Sequence, residues 1–151
     1  MEIHENNKNH VNEFIQLNEA WIKKHFKIES SDIALSNNPS CIIENGGFIF
    51  SLVVNNSVVG VCALFHEGHD TYELARMAVT EEHQGKGYGK ALINKCIEKA
   101  KELNAKKLYL ISNTKLKPAI SLYEKSGFKC TKLGQHPVYS RANIEMQYEN
   151  T

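Results

Sequence analysis

The sequence has almost no excess of charge of either sign: 18 basic and 17 acidic side chains leave a formal net charge of +1 over 151 residues. That balance gives no broad electrostatic reason for nucleic acid or a membrane to be the main partner, so any anion has to be held locally. Long apolar runs are missing too, none approaching the roughly 18 to 20 residues of a membrane span. The start, MEIHENNKNH, lacks the charged-then-apolar plan of a secretion signal. The expectation is a soluble, cytoplasmic protein. No C-x-x-C pair occurs; Cys41, Cys62, Cys96 and Cys130 stand far apart among apolar neighbours, which predicts reduced, buried core thiols rather than disulfides or metal ligands. Internal repeats, low-complexity tracts and linkers are also absent. A chain of this length buries a core without staples, so a single domain over residues 1–151 is expected.

What is present is a regular alternation of elements. Residues 10–26 carry Val11, Phe14, Ile15, Leu17, Trp21, Ile22 and Phe26 at mixed spacings of three and four, which predicts an amphipathic helix, with a short second helix near residues 30–36. Residues 48–54 alternate, turn at Asn55-Asn56-Ser57 and return over 58–65 as a hairpin. A third strand over 72–79 follows the turn HEGHD. From Tyr88, the apolar positions Leu92, Ile93, Cys96, Ile97, Ala100 and Leu103 fall on one helical face. Residues 108–112 read as a strand, a helix begins at Pro118 and is capped at Gly127, and 128–133 and 142–148 read as the last strands. His66 and His69, beside Glu67 and Asp70, lie on a turn with no third clustered ligand, so no metal site is expected.

The stretch HQGKGYGKAL, residues 83–92, is a strand-to-helix loop with glycine at alternate positions 85, 87 and 89. Such a loop at a helix N-terminus is an anion site, because free amide N–H groups and the positive end of the helix dipole converge there. A nucleotide-binding P-loop needs Ser or Thr after Gly-Lys, and Ala91 follows Gly89-Lys90. A dinucleotide fingerprint needs glycine where Lys90 stands, and the next strand, KKLYLIS, ends without an acid for a ribose.

The pattern Q-x-x-G-x-G, here Gln84-Gly85-Lys86-Gly87-Tyr88-Gly89, resembles the pyrophosphate loop of the GNAT superfamily of acetyl-coenzyme A-dependent N-acetyltransferases. Its surroundings resemble the family as well. ELARMAV precedes it, and a strand-end Asn113 is followed by A-x-x-L-Y-x-x-x-G-F over residues 119–128. The resemblance implies a mixed α/β fold of the α+β type: a splayed, mostly antiparallel mixed sheet of about six to seven strands with about four helices. It implies acetyl-coenzyme A in the opening between strands 72–79 and 108–112. There the backbone of Met77, Ala78 and Val79 would pair with the pantetheine arm, and the loop Gln84, Gly85, Lys86, Gly87, Tyr88, Gly89 and Lys90 would hold the pyrophosphate. Asn113, Ala119, Leu122 and Tyr123 complete the implied cofactor contacts. Lys86 and Lys90 read either as phosphate partners or as solvated lysines.

The same resemblance gives Tyr123 the role of general acid and Glu73 that of base. The alternative for Tyr123 is a ring packed on the sheet; for Glu73, an ion pair with Arg76 or another basic group. Glu73 is expected to share a strand face with Ala75, Met77 and Val79. For the acceptor, a small-molecule or peptide amine, the loop GQHPVYSR offers Tyr139 and Arg141 to an aromatic or carboxylate-bearing substrate, and Trp21, His25 and Phe26 form the opposite wall. The acetyl group would pass by direct attack in a ternary complex; the alternative is a non-catalytic coenzyme A-binding module. A homodimer is the weaker expectation for quaternary structure.

Overall fold

The computed structural model describes residues 1–149. Strand β1 (Glu2–Glu5) leads through a 3-10 turn into helix α1 (Val11–His25), followed by α2 (Ser30–Asn37) and the single turn α3 (Cys41–Glu44). Strands β2 (Phe48–Val54), β3 (Ser57–His66) and β4 (Thr71–Val79) form the expected meander. Helix α4 (Tyr88–Glu102) crosses to β5 (Lys107–Ser112), and α5 (Lys117–Lys125), β6 (Phe128–Leu133) and β7 (Ile144–Tyr148) complete the fold. The seven strands lie in the order β1-β2-β3-β4-β5-β7-β6, with β4 and β5 parallel and every other pair antiparallel. Strand β1 and the turn α3 went unforeseen because EIHE and CIIE are too short to display a period.

Each face of the sheet carries its own core. On one, Phe50, Leu64, Leu74, Leu110 and Met146 pack against Leu92, Ile93 and Cys96 of α4, as the apolar stripe of that helix requires. On the other, Phe14 of α1 and Ile42 of α3 pack on Ile49, Val61, Ala63 and Ala78. Two departures from expectation have simple causes. Cys62 and Cys96 are buried, but Cys41 is only half-buried and Cys130 is exposed, because β6 is the sheet's edge and is uncovered beyond Phe128. Met77 and Val79 do not share a face with Glu73. Val61 pairs with Ala78 and Ala63 with Ala75, so two residues, Arg76 and Met77, stand opposite Cys62 alone. Arg76 takes a positive φ of 59° in this bulge. The added residue turns Met77 and Val79 onto the α4 side, beside Tyr72 and Leu74.

The end of α5 depends on one glycine. Gly127 has φ +108°, and a Cβ there would lie 2.8 Å from Cε1 of Tyr148. Gly127→Ala is therefore expected to cost about 2 kcal/mol or more, the left-handed conformation and the clash acting together. Thermal unfolding should show a Tm lower by about 4–8 °C; an unchanged Tm would mean that the helix end and Tyr148 part without cost.

Candidate active site

The site begins where the sheet fails to close. β4 and β5 are in register only from Thr71 to Glu73 against Lys107 to Tyr109. Beyond those three pairs the strands run on to Val79 and Ser112 without pairing, which leaves an opening between them. Arg76 and its bulge sit on the free stretch of β4, so the strand bends where the gap starts.

At the end of β4 the glycine loop delivers the N-terminus of α4 to this opening. Gly85 and Gly87 have φ of +78° and +84°, and a Cβ on either would meet open space. Their conformation, not crowding by the protein, is what calls for glycine. Gly89 differs: its Cβ position lies 3.5 Å from Leu122 and 3.9 Å from Met77, so it lets α4 lie close to α5 and β4. No side chain caps α4 and no acid stands in its first turn, which leaves the amides after Gly87 free for an anion. Lys86 and Lys90 are exposed beside them, and Tyr88 is half-buried. The Gln84 side chain donates to the carbonyl of Val79 at 3.1 Å, which fastens the loop to the strand.

A cavity of about 120 Å³ runs through the opening. Its walls are Glu73, Ala75, Arg76 and Met77 of β4, Ile111 and Ser112 of β5 with Asn113 after it, Ala119 and Tyr123 of α5, Trp21 and Phe26 at the end of α1, and Tyr139 and Arg141 of the loop before β7. Thus the two proposed catalytic residues and four of the five proposed acceptor residues, set far apart in sequence, line one space. His25 lies in an adjoining recess with Lys115 and Ser140. The Trp21 and Phe26 rings meet at a tilt of 41°, 5.8 Å between centroids.

Two charge clusters border the cavity. On one side Asp32 of α2 binds two guanidiniums: Arg141 bidentately, at 2.7 Å to each carboxylate oxygen, and Arg76 at 2.5 Å. Burial alone would raise the Asp32 pKa, but hydrogen bonds from Arg141, the Glu29 backbone and Arg76 bring it down to about 2. Glu29 adds bonds to Arg141 and Ser140, so the long loop is tied to α2. Glu29 and Asp32 therefore hold arginines and are not free to bind a cationic substrate. On the other side Glu73 is 8% exposed. Burial, then the carboxylate of Glu67, pushes its pKa up to about 8, against a smaller opposing pull from Arg76. Among the described residues no salt bridge reaches Glu73, and that of Arg76 goes to Asp32.

Tyr123 projects from α5 among apolar groups, edge-on to Phe128 at 6.3 Å, and burial raises its phenol pKa above the ordinary value. The Asn113 amide is engaged within the protein. It donates to the Arg141 carbonyl at 2.8 Å and accepts from the Lys115 N–H at 3.0 Å, so it joins the end of β5 to the acceptor loop. The residues missed from sequence are Arg76, Glu67 and Asn18. Arg76 and Asn18 line the cavity, and Glu67 leans on Glu73 from the β3–β4 turn. A lone arginine in a strand, ELARMAV, gives no sign that a bulge will turn it inward.

The sequence matches the model of the Acetyltransferase (GNAT) family over residues 12–128. It is 32% identical to YvbK, an N-acetyltransferase of Bacillus subtilis (strain 168), over 104 residues, 69% of this chain and 66% of that protein. It is 36% identical to the N-acetylaspartate synthetase of Homo sapiens over 94 residues, 62% of this chain and 31% of that one. The chain thus spans just under two thirds of the first relative and about a third of the second. Among solved structures, a GNAT-family acetyltransferase from Staphylococcus aureus Mu50 has the same fold, with a TM-score of 0.85 at 24% identity over 97% of both chains. The family match runs from α1 through the opened sheet and the glycine loop to the end of α5, and the chain belongs to the acetyltransferase (GNAT) family.

Proposed function

We propose that the protein is an N-acetyltransferase that moves an acetyl group from acetyl-coenzyme A to a primary amine by direct attack in a ternary complex. The observation that carries this reading is the cavity itself, which brings Met77 on the free edge of β4, with Ala119 and Tyr123 of α5, into one space with Trp21, Phe26 and Tyr139. Donor and acceptor can therefore meet across the sheet. The residues present fit the donor: open space over Gly85 and Gly87, uncapped amides at α4 and two exposed lysines suit a pyrophosphate. Acetyl-coenzyme A would supply an acetyl group already activated as a thioester.

The chain's own part is positioning and proton movement. Met77, Ala78 and Val79 form the unpaired edge of β4, which supports an extended arm like an added strand. Gln84 keeps that edge and the loop in register. Glu73, with its raised pKa, takes the proton of the incoming ammonium when ionised. Tyr123 keeps its proton throughout the neutral range, and from the opposite side of the gap it would donate that proton to the coenzyme A thiolate released as the C–S bond breaks.

The decisive experiment is consumption of acetyl-coenzyme A with a broad panel of amines and peptides. Turnover with some acceptor supports the proposal; binding of coenzyme A with silence across the panel would instead favour a binding module. Gly87→Val should weaken coenzyme A binding by about 10–100-fold in calorimetry, since valine does not hold φ +84° and the cradle must rearrange. Binding at the parental affinity would move the pyrophosphate elsewhere.

A further inference from the structure

We infer that the acceptor is an amino acid, its carboxylate bound by Arg76 while its amine faces Glu73. This rests on the acetyltransferase reading and narrows it to a substrate class.

The Arg76 side chain is only 9% exposed. Burying a guanidinium is costly unless its donors and its charge are met. Among the described residues, one of its five N–H groups is matched: Nη1 donates to Asp32. Asp32 is shared, since Arg141 takes both of its oxygens bidentately and also binds Glu29. Arg141 is thereby committed to holding the loop, whereas Arg76 is left with most of its fork unused. Those unused donors are not sealed off, for among the described residues the one buried side-chain atom without a partner is Oε2 of Glu13. They open onto the cavity that Arg76 lines.

Position does the rest. Arg76 and Glu73 are on the same strand and line the same cavity, near enough for the guanidinium to pull on the Glu73 carboxyl. The Tyr139 ring lies 6.0 Å from the guanidinium, within reach of a cation–π contact. A planar carboxylate matches the free side of a guanidinium in two parallel bonds. The bulge that turns Arg76 inward has a positive φ on a residue with a bulky side chain, a strained conformation that persists where neighbours hold it. Trp21 and Phe26, opposite, offer an apolar wall, so the fitting side chain is aromatic or aliphatic. The opposite reading is a polycation drawn by Glu67, Glu73 and Glu145, which cluster about Tyr109. It leaves the buried Arg76 with like charge beside it.

The test compares matched acceptors with acetyl-coenzyme A: phenylalanine against phenylalaninamide and 2-phenylethylamine, leucine against 3-methylbutylamine, and spermidine as the polycation, with rates referred to the neutral amine. The amino acids should exceed their carboxylate-free partners by about 10–100-fold in kcat/KM, the worth of a charge-assisted hydrogen-bonded pair. Arg76→Gln should bring that ratio toward one, and Arg76→Lys should retain part of it. The ratio is read because it does not change with the fraction of a variant that folds. Equal rates within each pair, a preference for spermidine, or a ratio untouched by Arg76→Gln overturns the inference and leaves the acetyltransferase standing. Silence with every acceptor, including amines and peptides outside this set, removes the acetyltransferase reading and this inference with it.

Discussion

Glu73→Gln is expected to lower kcat/KM by about 10²–10³-fold near pH 8, within the usual range for loss of a general base. The pH profile carries more information than the size of the loss. With a pKa raised to about 8, Glu73 is mostly protonated at neutral pH, so the parent rate should climb about tenfold per pH unit up to about 8 and then level. In the variant nothing titrates there, and only acceptor that is already neutral reacts. For an alkylamine acceptor the climb should continue toward the amine's own pKa of about 10. An unchanged limb near 8 would assign the base to another group.

Stability gives an independent check on the same side chain. The folded pKa of Glu73 lies above its unfolded value of 4.5, so the folded state binds the extra proton. The stability this contributes is complete below pH 4.5 and is lost as pH rises through about 8. Glutamine, which resembles the protonated acid, should raise the Tm above the parent at pH 9. A variant that is slower yet more stable cannot have lost activity by unfolding.

Much of this site was legible from the chain because it is built from local signals. Alternate glycines before an apolar stripe mark a loop and a helix start, and Pro118 and Gly127 bracket α5, so the loop, α4 and the helix that carries Tyr123 lie where the sequence predicts. The illegible part was non-local. Period-two reasoning put Met77 and Val79 on the face of Glu73, and the bulge at Arg76 reversed them. Nothing in the sequence links Asp32, in a short helix, to Arg76 and Arg141, which it binds from 44 and 109 residues away. Cys130 shows the converse: apolar spacing alone does not reveal that β6 is an edge.

Tyr123→Phe is expected to lower kcat by about 10²-fold or more while changing coenzyme A affinity only a few-fold. Phenylalanine keeps the ring, its edge-on contact with Phe128 and the volume it fills in the cavity wall. If Tyr123 served only to pack, the change would be nearly neutral. What is removed is one hydroxyl on the cavity wall, whose pKa the surrounding desolvation holds above the ordinary phenol value. Such a group stays protonated through the range in which Glu73 ionises, so acid and base are poised together above pH 8, one on α5 and one on β4. The loss in Tyr123→Phe should accordingly be constant from pH 7 to 9 rather than appear as a shifted limb. Full activity of the phenylalanine variant across that range would leave proton donation to solvent and return Tyr123 to the core.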